Sequence, residues 1–146
     1  MDISIVNLQK KVSLNEKQII TVVRAILRHE KINKAALSFI FVTDSRIKAL
    51  NKKFLKRAYA TDVLAFPGCS CAHHGLEGEV IISTDTAMEN AGTYQAPLAQ
   101  EIVLYIIHGI LHLLGYDDHK AADIKKMRRK EEELLKAAGN KVNKIC

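Results

Sequence analysis

The chain has 146 residues, of which 48% are hydrophobic and 26% charged, a composition that excludes a disordered or fibrous protein. No apolar run approaches the ~20 residues of a membrane-spanning helix, and the first residues, MDISIVNLQKK, lack the features of a signal peptide. The net charge of +6 permits contact with nucleic acid but does not require it. We therefore expect one cytoplasmic domain across residues 1–146, with no membrane contact.

Strands and helices alternate through the first part of the chain. Alternating or continuous β-branched runs predict strands, and polar caps before apolar residues at helical spacing predict helices. The predicted elements are a strand at 2–7, a helix capped by Asn15 that ends near His29, a strand at Ala36–Val42, a helix capped by Ser45, and a strand at Asp62–Phe66.

The second part of the chain is predicted to be mainly helical. It holds a strand at Glu79–Ser83, a helix from Thr84 or Asp85 to about Thr93, an apolar helix from Pro97 to near Gly115, and a charged helix at about Ala121–Ala138. This order predicts an α/β (α+β) fold in which a small, mixed, mostly parallel sheet is packed with helices.

The apolar helix carries two histidines, His108 and His112, four residues apart. At this spacing both imidazoles project from one face of a helix, and two imidazoles so placed can bind one metal ion. Gly115 is predicted to end the helix and turn the chain, so that His119 can approach as a third ligand. Three protein ligands with an open position are typical of a catalytic zinc site. The other interpretation is that both histidines are hydrogen-bonded residues of a buried helix.

One position separates this zincin-like helix from that of a metallopeptidase. Metallopeptidases of the H-E-x-x-H type place a glutamate beside the first histidine as general base, whereas this chain has Gly109. We expect the glycine to leave space beside the metal for a bulky substrate.

Residues 108–119, HGILHLLGYDDH, resemble the H-G-x-L-H-L-x-G-Y-D-H signature of the YbeY family of metal-dependent endoribonucleases. ATDVLAFP at 60–67 is similar to the family's P-T-D-V-L-S-F-P. LNKKF at 50–54 and GEVIIS at 78–83 resemble the family's flanking segments, in the same order.

The resemblance implies a single-strand-specific endoribonuclease with one zinc ion held by three histidines. It also implies a role in 16S ribosomal RNA 3′-end maturation and ribosome quality control, with single-stranded RNA, ribosomal RNA and the small ribosomal subunit as partners. Three imidazoles also suit other divalent transition metals. The oligomeric state does not follow from the sequence.

The spacing after His112 departs from the family signature. The family places its third histidine after five intervening residues, and that register puts Asp118 in the third position. Either Asp118 coordinates through oxygen, or the turn absorbs one residue and His119 reaches the metal. We expect His119, because imidazole is a good zinc ligand, although a carboxylate is also chemically possible.

A second departure is Leu55, where many family members have an arginine implicated in activity. The adjacent Lys56 and Arg57 are candidate catalytic residues that contact phosphate; otherwise they are solvated charges at a helix end. Lys52 and Lys53 are further candidates for contact with the RNA backbone. A basic run at 125–130 is another candidate, but glutamates follow it, and Arg128–Glu132 and Arg129–Glu133 pairs would fit a solvated helix.

Four potential metal ligands lie close together in GCSCAHHG, namely Cys69, Cys71, His73 and His74. They permit a second metal site, but we favour the interpretation that they lie in a polar loop with reduced thiols.

Two other functions remain open at this stage. The chain could be another metal-dependent hydrolase, a peptidase or an esterase, or it could be a non-catalytic, ribosome-associated module that binds a structural metal.

Overall fold

The computed structural model describes residues 1–55, 63–68 and 75–146, with the backbone alone for residues 54 and 55. The strands are β1 (Asp2–Asn7), β2 (Ala35–Val42), β3 (Val63–Pro67) and β4 (Leu76–Ser83). The helices are α1 (Glu16–His29), α2 (Asp44–Leu55), α3 (Thr84–Thr93), α4 (Leu98–Leu113) and α5 (Ala121–Ala138), and a 3₁₀ helix follows at Gly139–Lys144.

The four strands form one sheet in the order β1-β2-β4-β3. β1 pairs with β2 and β2 with β4 in parallel, whereas β3 runs antiparallel to β4 at the edge. The predicted α/β (α+β) class, with a small, mixed and mostly parallel sheet, is confirmed. The parallel pairs require crossover connections, which α1 and α2 help to provide.

The sheet has two apolar faces because side chains alternate along each strand. On β2, Phe39 and Phe41 are buried in the larger core with residues of α1 and α4. Val42 points to the opposite face of the sheet, where it packs with Ile47 of α2. α4 is buried on nearly all sides, as its apolar sequence predicts.

The start of α2 and one additional helix differ from the prediction. α2 begins at Asp44, so Ser45 is not its cap; the Thr43 hydroxyl accepts the Arg46 N–H at 3.4 Å instead. Threonine and serine are both good caps, and only the backbone path decides which one precedes the first turn. The 3₁₀ helix after α5 was not predicted.

Within the described ranges, no helix is both long and apolar enough to cross a membrane. The cytoplasmic location stays a prediction. Several predicted functional residues lie outside the described residues: Lys56, Arg57, Cys69, Cys71, His73 and His74.

Candidate metal centre

α4 lies close against the sheet because two glycines remove side chains from the contact. A Cβ atom on Gly109 would lie 2.4 Å from Val80 Cγ1 of β4, and one on Gly78 would lie 2.7 Å from Leu113 Cδ2 of α4. Both distances are well below ordinary van der Waals contact. Gly109 therefore serves helix–sheet packing, and our expectation that it opens space beside the metal is wrong, since this position faces β4.

His108 and His112 face each other on α4, as their spacing predicts. Their Nε2 atoms are 3.0 Å apart, and the ring centroids are separated by 4.5 Å with the planes nearly perpendicular. Both rings are partly buried. Two imidazoles aim the same ring nitrogen at one point in space, an arrangement typical of ligands to a shared cation.

A glycine-terminated turn ends α4 and directs the following chain back towards these rings. Gly115 has a φ of +97°, a left-handed conformation that suits glycine at this position. The Gly115 N–H bonds the His112 carbonyl at 3.0 Å, and the Tyr116 N–H bonds the Leu111 carbonyl at 2.9 Å. This pair of bonds defines a Schellman motif, so the direction in which the chain leaves α4 is fixed.

The turn brings Asp118 to the two histidines. Its Oδ2 atom lies 3.4 Å from His108 Nε2 and 3.6 Å from His112 Nε2. His119 lies in a different place: its side chain is 77% exposed, and its Nε2 atom is 3.4 Å from Asp117 Oδ1. The structure therefore groups His108 and His112 with Asp118, and it groups His119 with Asp117 and Asp118 in a second, more exposed cluster that shares Asp118.

The donor triangle has the dimensions of a metal site. Its edges are 3.0, 3.4 and 3.6 Å. Ligand atoms ~2.0–2.1 Å from a tetrahedral ion would be about 3.3 Å apart. Two imidazoles and one carboxylate form a common catalytic ligand set, as in the His₂Glu zinc sites of metallopeptidases. The residues present thus fit a divalent transition-metal ion.

One carboxylate near this centre was not identified from the sequence. Glu131 of α5 places Oε2 3.5 Å from His108 Nδ1, the ring nitrogen that faces away from the donor triangle. A sequence signal did exist: Glu131 lies four residues after Met127 and three before Leu134, both of which are buried. A glutamate in the inner stripe of a helix requires a polar partner.

The basic residues of α5 fall into two groups. Lys130 is mostly buried and bonds Glu30 of α1 and Glu133 of its own helix at 2.9 and 2.8 Å. The other basic residues of the run are exposed, namely Lys125, Lys126, Arg128 and Arg129. They leave this helix with a positively charged outer surface, whereas Lys130 is a structural residue.

A small mixed sheet, packed with a helix whose two histidines face one aspartate, defines an α+β domain with a candidate metal site. Comparison with known proteins narrows this class. The family model "Endoribonuclease YbeY" matches residues 4–139, and the chain belongs to this family. The resemblance noted at residues 108–119 is thereby confirmed, and family membership implies dependence on a metal.

Individual relatives agree with the family assignment. The chain is 44% identical over 106 residues to an endoribonuclease YbeY from Anaeromyxobacter sp., a match that covers 72% of this chain and 55% of that protein. The chain therefore spans little more than half of that relative. It is 34% identical over 137 residues to the endoribonuclease YbeY of Carboxydothermus hydrogenoformans, covering 92% and 96% of the two chains.

A solved structure shares the fold. The solution structure of a Thermotoga maritima protein superposes with a TM-score of 0.67 at 27% sequence identity, over 93% of this chain and 88% of that one. The arrangement of sheet and helices is therefore that of an experimentally observed domain.

Proposed function

We propose that this protein is a metal-dependent endoribonuclease that cleaves single-stranded RNA during 16S ribosomal RNA maturation and ribosome quality control. Residues 1–146 would form its single metallohydrolase domain. Family membership supports the activity. The observation that carries the proposal is the donor triangle of His108, His112 and Asp118, with edges between 3.0 and 3.6 Å.

The three donors would hold one divalent ion, for which we propose zinc. Imidazole nitrogen and carboxylate oxygen are both common zinc donors, although iron and cobalt accept the same set. A bound ion would supply Lewis-acid chemistry towards the scissile phosphodiester group. His108 and His112 approach from helix α4, and Asp118 from the turn that follows it, and all three side chains remain partly exposed to solvent.

Substrate attraction would come from exposed basic side chains. Lys125, Lys126, Arg128 and Arg129 are exposed on α5, the helix that also carries Glu131. Contacts of lysine and arginine with phosphates are independent of base sequence and weaken as salt rises. Lys56 and Arg57 remain proposed phosphate-contacting residues from the sequence. RNA affinity should therefore fall steeply with salt concentration.

The decisive experiment tests metal binding and RNA cleavage in the same variants. Zinc affinity is measured by competition with a chromophoric chelator, and cleavage with end-labelled single-stranded RNA, duplex RNA and casein. Asp118→Asn should lower zinc affinity by roughly 100-fold or more, because losing a ligand exceeds the 10–100-fold effect of an outer-shell partner. It should also abolish cleavage of the single-stranded RNA.

His119→Ala is the matched control, since His119 lies next to Asp118 but outside the donor triangle. It should bind zinc and cleave RNA like the wild type. Loss of zinc in His119→Ala but not in Asp118→Asn would show that His119 is the third ligand. Cleavage of casein without cleavage of RNA would replace the nuclease proposal by a peptidase.

The position of Gly109 disfavours that peptidase alternative. A Cβ at this position would point into Val80, so a general-base glutamate beside the first histidine has no room on this helix. A structural metal in a non-catalytic module would be indicated if Asp118→Asn lost zinc and retained RNA cleavage.

A further inference from the structure

α5 has two half-buried acidic residues on its inward-facing side, Asp123 and Glu131, and Glu131 is the one that lies between buried side chains. Met127, Leu134 and Ala138 are nearly inaccessible to solvent and form the inner stripe of this helix. Glu131 has the helical phase of this stripe, and its side chain is only 20% exposed. A carboxylate so placed loses much of its hydration and needs a compensating partner.

The partner of Glu131 is His108. Glu131 Oε2 lies 3.5 Å from His108 Nδ1, whereas the nearest lysine of the same helix, Lys130, bonds Glu30 and Glu133. Among the described residues, the ion pair that contains Glu131 is the one with His108. The opposite ring nitrogen, His108 Nε2, is the atom that points to His112 and Asp118.

We propose that Glu131 is the positioning residue of the metal centre. Its carboxylate accepts a hydrogen bond from the Nδ1–H group of His108, which leaves the Nε2 lone pair directed at the metal position. A neutral imidazole carries its hydrogen on one nitrogen only, and the hydrogen bond of one nitrogen sets the state of the other. Carboxylates in this role fix the orientation of a ligand ring and raise its basicity. This inference rests on the proposed function, since it assumes that His108 is a ligand.

The packing of α5 makes this orientation rigid. Met127 and Leu134, one turn on either side of Glu131, are buried in the main core. Lys130 ties the same helix turn to Glu30 of α1. These contacts fix the rotation of α5 about its own axis. The Glu131 carboxylate therefore has a fixed position, as a supporting residue requires.

The test separates positioning from stability. Glu131→Met removes the acceptor and continues the apolar stripe of Met127 and Leu134. Zinc affinity should fall about 10–100-fold, while the thermal midpoint of the metal-free protein should stay equal or rise, because replacing a partly buried ionic group by a hydrophobic one is often stabilising. Glu131→Gln retains a neutral acceptor and should give a smaller loss of affinity.

The matched control is Glu132→Gln, which removes the same charge from the exposed neighbouring position. It should leave zinc affinity unchanged. If the carboxylates acted only by general electrostatic attraction of the ion, Glu132→Gln and Glu131→Gln would lower zinc affinity equally. That result would overturn the proposal.

The His108 tautomer supplies a readout that is independent of activity. Long-range ¹H–¹⁵N spectra of the metal-free protein at mildly alkaline pH should show the hydrogen on Nδ1 in the wild type and in Glu132→Gln. In Glu131→Met the Nε2–H form should increase. Unchanged affinity and tautomer in Glu131→Met would overturn the positioning role alone, whereas a wild-type protein that binds no divalent metal would overturn the proposed function.

Discussion

The carboxylate of Asp118 reaches the histidines because of the backbone that precedes it. After the left-handed Gly115, the Asp118 N–H bonds the Asp117 side chain at 2.7 Å, which tightens the turn. Asp118 is then directed to His108 and His112, and the next residue, His119, is directed to solvent. At the scale of single residues, one position along a tight turn decides which side chain faces the two histidines.

A substitution at this position can restore the donor set of the family signature. Asp118→His places an imidazole where the signature has its third histidine, and three imidazoles also form a stable zinc site. We expect zinc affinity within about tenfold of the wild type, in contrast to the large loss in Asp118→Asn, as measured by chelator competition. A loss as large as that of Asp118→Asn would show that the turn cannot accommodate the longer ring.

Asp85 is a second residue whose environment has a measurable consequence. Its carboxylate accepts the Asp44 N–H at 2.9 Å and the Lys11 ammonium at 3.0 Å. The bond from the Asp44 N–H, followed by that from Lys11, lowers the pKa of Asp85 below its ordinary 3.8, against the opposing effect of burial.

A depressed pKa means that this carboxylate stabilises the fold when ionised. The contribution is fully present above the unfolded pKa near 3.8 and is lost as the pH falls through the lower folded pKa. Asp85→Asn should therefore reduce the free energy of unfolding by roughly 1–2 kcal/mol at neutral pH. In urea denaturation this difference should shrink below about pH 4, whereas a constant difference down to the acid limit would exclude the carboxylate as its source.

At the scale of elements, the docking of α4 on β4 controls the geometry of the site. Both histidines lie on this helix, and its separation from the sheet is set by the two close contacts at Gly109 and Gly78. Interiors packed at crystal-like density transmit small displacements. A change in the helix–sheet distance would therefore move the two imidazole rings relative to Asp118.

Two glycine-to-alanine substitutions separate packing from helix propensity. Gly109→Ala should lower the free energy of unfolding by roughly 1–3 kcal/mol through overpacking against Val80, and it should also weaken zinc binding. Gly92→Ala is the control, because a Cβ at Gly92 of α3 meets nothing within 4 Å; it should be neutral or stabilising by up to about 1 kcal/mol. Equal stability of both variants in urea denaturation would contradict the close packing at Gly109.

At the scale of the whole molecule, the C-terminal helix α5 is attached to the N-terminal helix α1 by a polar link. Lys130 lies 2.7 Å from Glu30 Oε1 and 2.8 Å from Glu133 Oε2. Burial lowers the pKa of Lys130, but the hydrogen bonds and charges of Glu133 and Glu30 outweigh that effect and raise it above the ordinary 10.5. A stably charged ammonium group therefore connects α5 to the end of α1.

The stabilisation from this link has a predictable pH dependence. Because the folded pKa is raised, it is fully present below the unfolded pKa of 10.5 and is lost as the pH rises through the folded pKa. Glu30→Gln, which removes the more buried partner, should lower the free energy of unfolding by roughly 1–3 kcal/mol, between the values of exposed and buried pairs. Glu133→Gln should cost less, since this partner is 47% exposed, and equal losses in thermal denaturation would contradict the asymmetry.

The sequence by itself determined the features that depend on local periodicity and local chemistry. The alternation of strands and helices predicted the mixed sheet, and the four-residue spacing of His108 and His112 predicted that both rings share one face of a helix. Those predictions succeed because helical period and side-chain alternation are properties of the backbone alone. The signature at residues 108–119 also indicated the family, because it lies within one continuous segment of the sequence.

Only the tertiary structure decided the remaining parts of the site. The grouping of Asp118, instead of His119, with the two histidines depends on the dihedral angles of one turn. The role of Gly109 depends on Val80 in a distant strand, and the partnership of Glu131 with His108 depends on how α5 packs against α4. The last two contacts join segments far apart in the chain, and no local pattern encodes the distance between those segments.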